Sequence, residues 1–344
     1  MSKTSPLITD GLRLSEVFVR TKEASRNDLS PSLSIRRDRL SKLEALLQEN
    51  QPALCRAISE DFGHRSPHET RLLEIFPGLE GIRHTRKQLK RWLKPQKRSV
   101  PLWFQPGRAE VRPQPLGCVG IVTPWNYPLF LAIGPLTAAF AAGNRALIKM
   151  SEFTPSTATL FAELAARYFA PEELAVVGGD HELAQGFSQL PFDHLLFTGS
   201  TAVGRHVMRA AAENLTPVTL ELGGKSPAII APDYPMAKAA ARIMAGKCLN
   251  AGQTCIAPDY VMLPAGQEDS FIAAARATVA ASYPDLGENP DFSAIINAHH
   301  AKRLRNYLTD AAAKGARIIP LAEVPDKDGG PQRLAPTLVV QPDD

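Results

Sequence analysis

The 344-residue chain is 44% hydrophobic and 22% charged, the balance of a globular protein with length for about two domains. A net charge of +4, from 39 basic and 35 acidic residues, is too small a surplus to argue for a nucleic-acid partner. The four cysteines, Cys55, Cys118, Cys248 and Cys255, form no CxxC pair and no zinc pattern, which fits a reducing cytoplasm.

Met1 to Asp10 lack the apolar core of a signal peptide. Residues 11–98 read as helical: Leu12, Val17 and Phe18 mark a first apolar face, and Pro31-Ser32-Leu33 opens a helix carrying Leu40, Leu43, Leu46 and Leu47. Leu72, Leu73, Ile75 and Phe76 belong to a later helix. Much of the positive charge follows in the run Arg83, Arg86, Lys87, Lys90, Arg91, Lys94, Lys97 and Arg98. Ile82, Leu89, Trp92 and Leu93 interleave it at helical spacing, so it reads as a solvated helix face. Pro101–Phe104 and Ala109–Arg112 are short strand candidates. No charge falls between Arg112 and Arg145, but Pro115, Pro124, Pro128 and Pro135 break that stretch into a strand, a loop and a helix rather than a membrane span.

From here the pattern is alternation. Val119–Val122, Ala146–Ile148, Leu174–Val177, His194–Phe197 and Val218–Leu220 are short apolar runs of the kind buried parallel strands show. Helical segments separate them at Leu129–Ala142, Ser156–Arg167, Leu183–Phe187 and Ala202–Ala212. The implied fold is α/β, a doubly wound, Rossmann-like parallel sheet, with ligands beyond the carboxyl ends of its strands. A second alternation follows: strands at Ala228–Ile230, Tyr260–Leu263, Arg317–Pro320 and Thr337–Val340, helices at Met236–Cys248, Asp269–Ala281 and His299–Ala313. The expected division is residues 1–222, N-terminal helices and a dinucleotide-binding domain, and residues 223–344, a second α/β domain.

Chemistry-bearing residues fall at the strand ends. Asn126 lies between Pro124 and Pro128, where a fixed amide can face a developing oxyanion; for the hexapeptide alone, a turn asparagine bonding its own backbone is the better reading. Lys149 and Glu152 follow the second run, where an acidic side chain can bond an adenosine ribose and a lysine the ribose or a 2′-phosphate; an exposed turn explains them as well. Gly199, Ser200 and Gly204 lead into a helix whose N-terminus suits a pyrophosphate, although the pattern is not GxGxxG. Glu221 ends the fifth run ahead of Gly223-Gly224, and Cys255 lies 255 − 221 = 34 residues on, after Asn250-Ala251-Gly252-Gln253-Thr254. A thiol can attack a carbonyl and hold the acyl group as a thioester, and a carboxylate can activate the water that releases it. The plainer alternatives are a capping or ion-paired Glu221 and an inert Cys255. Cys248, in a helical pattern, reads as a core thiol. The eight histidines form no ligand set, so no metal site is expected.

Pro124-Trp125-Asn126-Tyr127-Pro128, Lys149 to Pro155, Phe197 to Gly204, Glu221 to Pro227 and Gly252 to Cys255, in this order and spacing, resemble the aldehyde dehydrogenase superfamily. Thr216-Pro217-Val218-Thr219 and Ala257-Pro258-Asp259-Tyr260 resemble its class 3 branch. The resemblance implies NAD(P)-dependent oxidation of an aldehyde, aromatic and similar to coniferyl aldehyde, to the acid. Cys255 would be the nucleophile, Asn126 with the Cys255 N–H the oxyanion holder, and Glu221 the base for deacylation. Lys149 and Glu152 would hold the adenosine ribose, Gly199, Ser200 and Gly204 the pyrophosphate region, and Trp125 would line the cofactor cleft. NAD and NADP both stay open, because Glu152 disfavours a 2′-phosphate and Lys149 offsets it. The family continues past residue 344 with a Glu-Phe-Gly-Pro motif and a dimerisation strand. The resemblance therefore implies that residues 223–344 are an incomplete α/β catalytic domain, that the chain is C-terminally truncated, and that the full-length protein is a homodimer. Two other functions are open: an aliphatic aldehyde dehydrogenase and an inactive dinucleotide-binding fragment.

Overall fold

The computed structural model describes residues 5–324 and 331–340. The first four residues of the stretch Met1 to Asp10, and the last four of the chain, where the expected truncation lies, fall outside them. The chain divides into two compact units, residues 1–54 with 72–221, and residues 55–71 with 222–344.

The first unit opens with helices Gly11–Asn27 and Leu33–Glu49, capped by Asp10 and by Ser32, whose side chains accept from the amides of Arg13 and Ile35. The inward face of the first helix is Leu14, Phe18, Thr21 and Ser25, and Leu12 is 83% exposed. This corrects the expected face: Leu12 stands two positions from Leu14, about 200° around the helix. Ile82 and Leu89 of helix Phe76–Trp92 are buried, and Arg83, Lys87, Lys90 and Arg91 lie on its exposed side, whereas Lys94, Lys97 and Arg98 follow the helix end, which corrects the expected single helix face.

Strands β1 (Gln96–Arg98) and β2 (Ala109–Val111) pair antiparallel and are exposed throughout. The expected strand at Pro101–Phe104 is instead a 3-10 turn over Leu102–Phe104, in which the Phe104 amide donates to the Pro101 carbonyl at 2.9 Å. Its aromatic residues suit a strand, but Leu102, Trp103 and Phe104 are 79%, 90% and 70% exposed and have no sheet face to pack on.

Five strands form the core of this unit: β3 (Cys118–Val122), β4 (Arg145–Lys149), β5 (Leu174–Val177), β6 (His194–Gly199) and β7 (Val218–Leu222), in spatial order β5-β4-β3-β6-β7. The β3 pairings with β4 and β6 and the β4–β5 pairing are parallel. Helices Phe130–Ala142, Pro155–Tyr168, His181–Ser188 and Thr201–Ala212 connect the strands. The order reverses between β3 and β6, so the loops after these two strands flank the switch point where open α/β sheets bind ligands. Gly120 of β3 gives Phe192 room: a Cβ there would lie 2.7 Å from its ring.

In the second unit β8 (Ser226–Ile229) pairs parallel with β9 (Pro258–Met262), and β10 (Arg317–Pro320) pairs antiparallel with β11 (Thr337–Val340). Helices Met236–Cys248 and Glu268–Ser282 pack Met244, Cys248, Phe271, Ala275 and Val279 into one apolar core with Leu286 and Phe292. Helix Ala298–Ala313 precedes β10. Residues 55–71, which the sequence reading puts with the N-terminal helices, contribute to this unit. The His64 carbonyl accepts from the Ala294 amide at 2.9 Å, and Ser66 Oγ donates to Asp291 at 3.1 Å.

Candidate active site

In the first unit the Asn126 loop runs from β3 into helix Phe130–Ala142, and charge holds both ends of that helix. At the N-terminus one Glu74 carboxylate oxygen accepts from the amides of Leu129 (2.8 Å) and Phe130 (3.0 Å). Glu74 is fully buried, and a one-turn π-helix, Arg71–Ile75, delivers it there. At the C-terminus Arg36 donates to the carbonyls of Ala141 (3.1 Å) and Ala142 (2.6 Å). An anion at the amino end and a cation at the carboxyl end both suit the helix dipole, and hydrogen bonds to a charged group are worth about 1.5–3 kcal/mol each. Gly143, at φ +91, closes the helix; a Cβ there would lie 2.7 Å from the Arg36 guanidinium carbon. Tyr127, Pro128 and Leu129 are buried, so the half-exposed Trp125 and Asn126 leave the sheet on a short loop anchored on both sides.

The other first-unit candidates also sit at strand ends. Lys149, the last residue of β4, is 1% exposed, and its Nζ donates to the carbonyls of Met150 (2.7 Å) and Gly179 (3.2 Å). Burial lowers its pKa from the usual lysine value, and Glu152 and Asp180 oppose that shift. Glu152 is exposed. Past β6, Ser200 caps helix Thr201–Ala212 by accepting from the Val203 amide at 3.3 Å. Gly204 is buried one turn on, and a Cβ at Gly199 would lie 2.5 Å from the Phe197 ring. An exposed helix amino end at the switch point, entered through small residues, can receive a diphosphate.

The lysine shift has a testable sign. A base whose folded pKa is depressed contributes stability above its unfolded pKa and loses it as pH falls through the folded value. Stability should therefore rise with pH as the usual lysine value of 10.5 is approached. Urea melts at stepped pH should show this slope in the wild-type chain and a flatter one in Lys149→Met.

Glu221 is the exposed penultimate residue of β7 and ends the first unit. In the second unit the backbone after it meets the backbone after Cys255: Ser226 and Pro258 are register partners, and Lys225 pairs with Asp259 at 2.6 Å. A Cβ on Gly224 would lie 3.7 Å from the Cys255 carbonyl oxygen, so this turn already runs in van der Waals range of the cysteine backbone.

Cys255 follows a left-handed run. Asn250 (φ 52, ψ 33), Ala251 (φ 51, ψ 31) and Gly252 (φ 78) end the 3-10 turn that succeeds helix Met236–Cys248. Two of these three carry a Cβ, so the run persists only where its surroundings hold it. The Asn250 amide donates to Glu69 at 2.9 Å. The Gln253 side chain donates to the carbonyls of Asn250 and Ala294, both at 2.9 Å, and accepts from the Ile296 amide at 3.0 Å.

Exposure sorts the thiols. Cys55, Cys118 and Cys248 are buried and Cys255 is exposed. Burial pushes Cys118 up to about 12 and Cys248 up to about 11, so both are protonated at neutral pH and neither is a nucleophile. Among the described residues no group of three or more His, Cys, Asp or Glu could hold a metal, and no helix is long and apolar enough to cross a membrane.

Glu69 and Glu74 were not singled out from the sequence. Glu74 did leave a trace, as a lone acid in the apolar run Leu72–Phe76; Glu69 follows Ser66-Pro67, an ordinary helix start, and left none.

The aldehyde dehydrogenase family model matches residues 17–344. The chain is 52% identical over 332 residues, 96% of its length, to the probable coniferyl aldehyde dehydrogenase of Pseudomonas aeruginosa. It is 48% identical over 334 residues, again 96%, to the coniferyl aldehyde dehydrogenase of a Pseudomonas species. It spans 69% of the length of each. Among solved structures, the substrate-bound AldH of Staphylococcus aureus aligns with a TM-score of 0.89 at 34% identity, over 95% of this chain and 70% of that one.

Proposed function

The chain belongs to the aldehyde dehydrogenase family, and from that premise we propose that it oxidises an aromatic aldehyde of the coniferyl type to its acid through a thioester on Cys255. The observation that carries this reading is the state of the four thiols: three are buried, and the exposed one ends a loop held in an unusual backbone conformation. The coniferyl preference is drawn from the two Pseudomonas relatives.

Each residue has one task. The Cys255 thiolate attacks the aldehyde carbon. Asn126 and the Cys255 N–H donate to the oxyanion that forms. The cofactor is NAD or NADP, and when bound it supplies the hydride acceptor that turns the adduct into a thioester. Glu221 takes a proton from water, the resulting hydroxide attacks the thioester, and the acid leaves with the thiolate restored. Lys149 and Glu152 bind the adenosine ribose, the Gly199–Gly204 turn binds the pyrophosphate, and Trp125 lines the cleft. Working in the cytoplasm, as a homodimer, is part of this proposal.

The test is reduced-cofactor formation at 340 nm with coniferaldehyde and with a long aliphatic aldehyde, each with NAD and with NADP. The expected result is a higher kcat/KM for coniferaldehyde. Preference for the aliphatic substrate would replace the aromatic assignment. Dinucleotide binding without reduction of either cofactor would leave a binding protein.

A further inference from the structure

We propose that Glu69 is a positioning residue for Cys255, acting through the Asn250 amide. The proposal rests on the reading of Cys255 as the nucleophile. All the groups involved lie in the second unit.

The loop from Asn250 to Cys255 does not hold its own shape. Asn250 and Ala251 are both left-handed, a conformation disfavoured for a residue with a Cβ, Ala251 most of all. Their neighbours must therefore impose it. Glu69 is 6% exposed and uses both carboxylate oxygens as acceptors. One takes the Asn250 amide at 2.9 Å, and the other takes the Ser293 hydroxyl. Ser293 Oγ in turn accepts from the Ser66 amide at 3.3 Å, tying the glutamate's own helix to the same point. The segment after Ser293 grips the loop again through Gln253, which bonds the Ala294 carbonyl and the Ile296 amide. Cys255 is two residues past Gln253, on a turn in which the Ala257 amide donates to the Thr254 carbonyl at 3.1 Å. Burial raises the Glu69 pKa, and the Ser293 and Asn250 bonds and the charge of Arg65 pull it back. Such a buried carboxyl needs a reason to be there, and two donors that require acceptors on one side supply it.

Removing the carboxylate unties the Asn250 amide and releases the left-handed run. The Cys255 thiol and its N–H then lose their fixed direction. Misplacement by about 1 Å costs about 100-fold in rate. Glutamine can keep the geometry: its carbonyl oxygen accepts from Asn250 while its amino group donates to Ser293 Oγ, whose own proton can turn elsewhere.

The experiment compares Glu69→Ala, Glu69→Gln and Ser293→Ala with the wild-type chain. It measures the rate of Cys255 alkylation by iodoacetamide, read on the Cys255 peptide, and the rate of the first turnover at 340 nm. The buried Cys118 and Cys248 peptides report whether each variant stays folded. The expected result for Glu69→Ala is a first-turnover rate down by about 10–100-fold, a changed Cys255 alkylation rate and an unaltered dinucleotide Kd. Glu69→Gln should recover most of both rates, and Ser293→Ala should fall between. Should Glu69→Ala fail to fold, Ser293→Ala against Glu69→Gln makes the same comparison. Unchanged rates in folded Glu69→Ala and Ser293→Ala overturn the proposal. Equal loss in Glu69→Ala and Glu69→Gln overturns it too, since the charge would then matter rather than the tether. Turnover by Cys255→Ala would sink the nucleophile reading itself, a different result from an inactive Cys255→Ala beside a fully active Glu69→Ala.

Discussion

Replacing Cys255 with alanine should abolish aldehyde oxidation and leave dinucleotide binding intact. The thiol is exposed, ends a tethered loop and belongs to the second unit, whereas the residues proposed to hold the cofactor belong to the first. Loss of a covalent nucleophile removes the step that holds the acyl group, and such losses reach about 10⁴–10⁶-fold in kcat. Binding should be measured by titrating NAD against intrinsic fluorescence, and turnover at 340 nm. Cys248→Ala is the matched control: at 2% exposure in an apolar core, it should cost on the order of 1 kcal/mol and leave kcat alone. Ordinary turnover by Cys255→Ala would remove the thioester from the mechanism.

Glu221→Gln should give a different trace. If the carboxylate serves only deacylation, the variant still forms the thioester and releases one equivalent of reduced cofactor per site. Steady turnover should then fall by roughly 10²–10⁴-fold, the usual contribution of a general base. Glu221 is exposed on the last residues of β7, so its replacement by the isosteric amide should leave folding unchanged. Rapid mixing separates the two phases. A variant that lost its burst and kept its steady rate would show that Glu221 acts before the thioester and not after it.

The sheet was legible because β3, β4 and β5 are buried along nearly their whole length, and β6 and β7 are still apolar runs. Leu174–Val177 matches its strand end for end, and the other four runs fall short by one or two residues. They ended early at polar or small residues such as Lys149 and Gly199, which belong to the strands but break an apolar pattern. The strand Gln96–Arg98 was illegible for the opposite reason: it is three exposed polar residues, read as the tail of a basic helix. The candidate residues were found because each stands at a strand end or in a glycine turn, where local sequence is distinctive. The residues that hold them in place were not. Glu74 meets Leu129 and Phe130 across 55 and 56 positions, Glu69 meets Asn250 across 181, and neither pairing leaves a periodic mark. The assignment of residues 55–71 to the second unit was hidden in the same way, since that segment looks like any amphipathic helix until its distant partners are known.

That assignment also orders events in time. Residues 55–71 leave the ribosome long before their distant partners in the second unit. His64 needs the Ala294 amide, and Glu69 needs Asn250 and Ser293. At roughly 5–20 residues per second, the 221 − 71 = 150 residues that separate Arg71 from the rest of the second unit take about 8–30 s to make. For that interval Glu69, which finishes 6% exposed, has neither of its two distant donors. The nascent chain thus carries a segment whose long-range bonds can form only after residues 72–221 and part of the second unit have been made. Anything that lengthens the wait, such as slow codons between residues 72 and 221, should raise the fraction captured by chaperones or lost to aggregation.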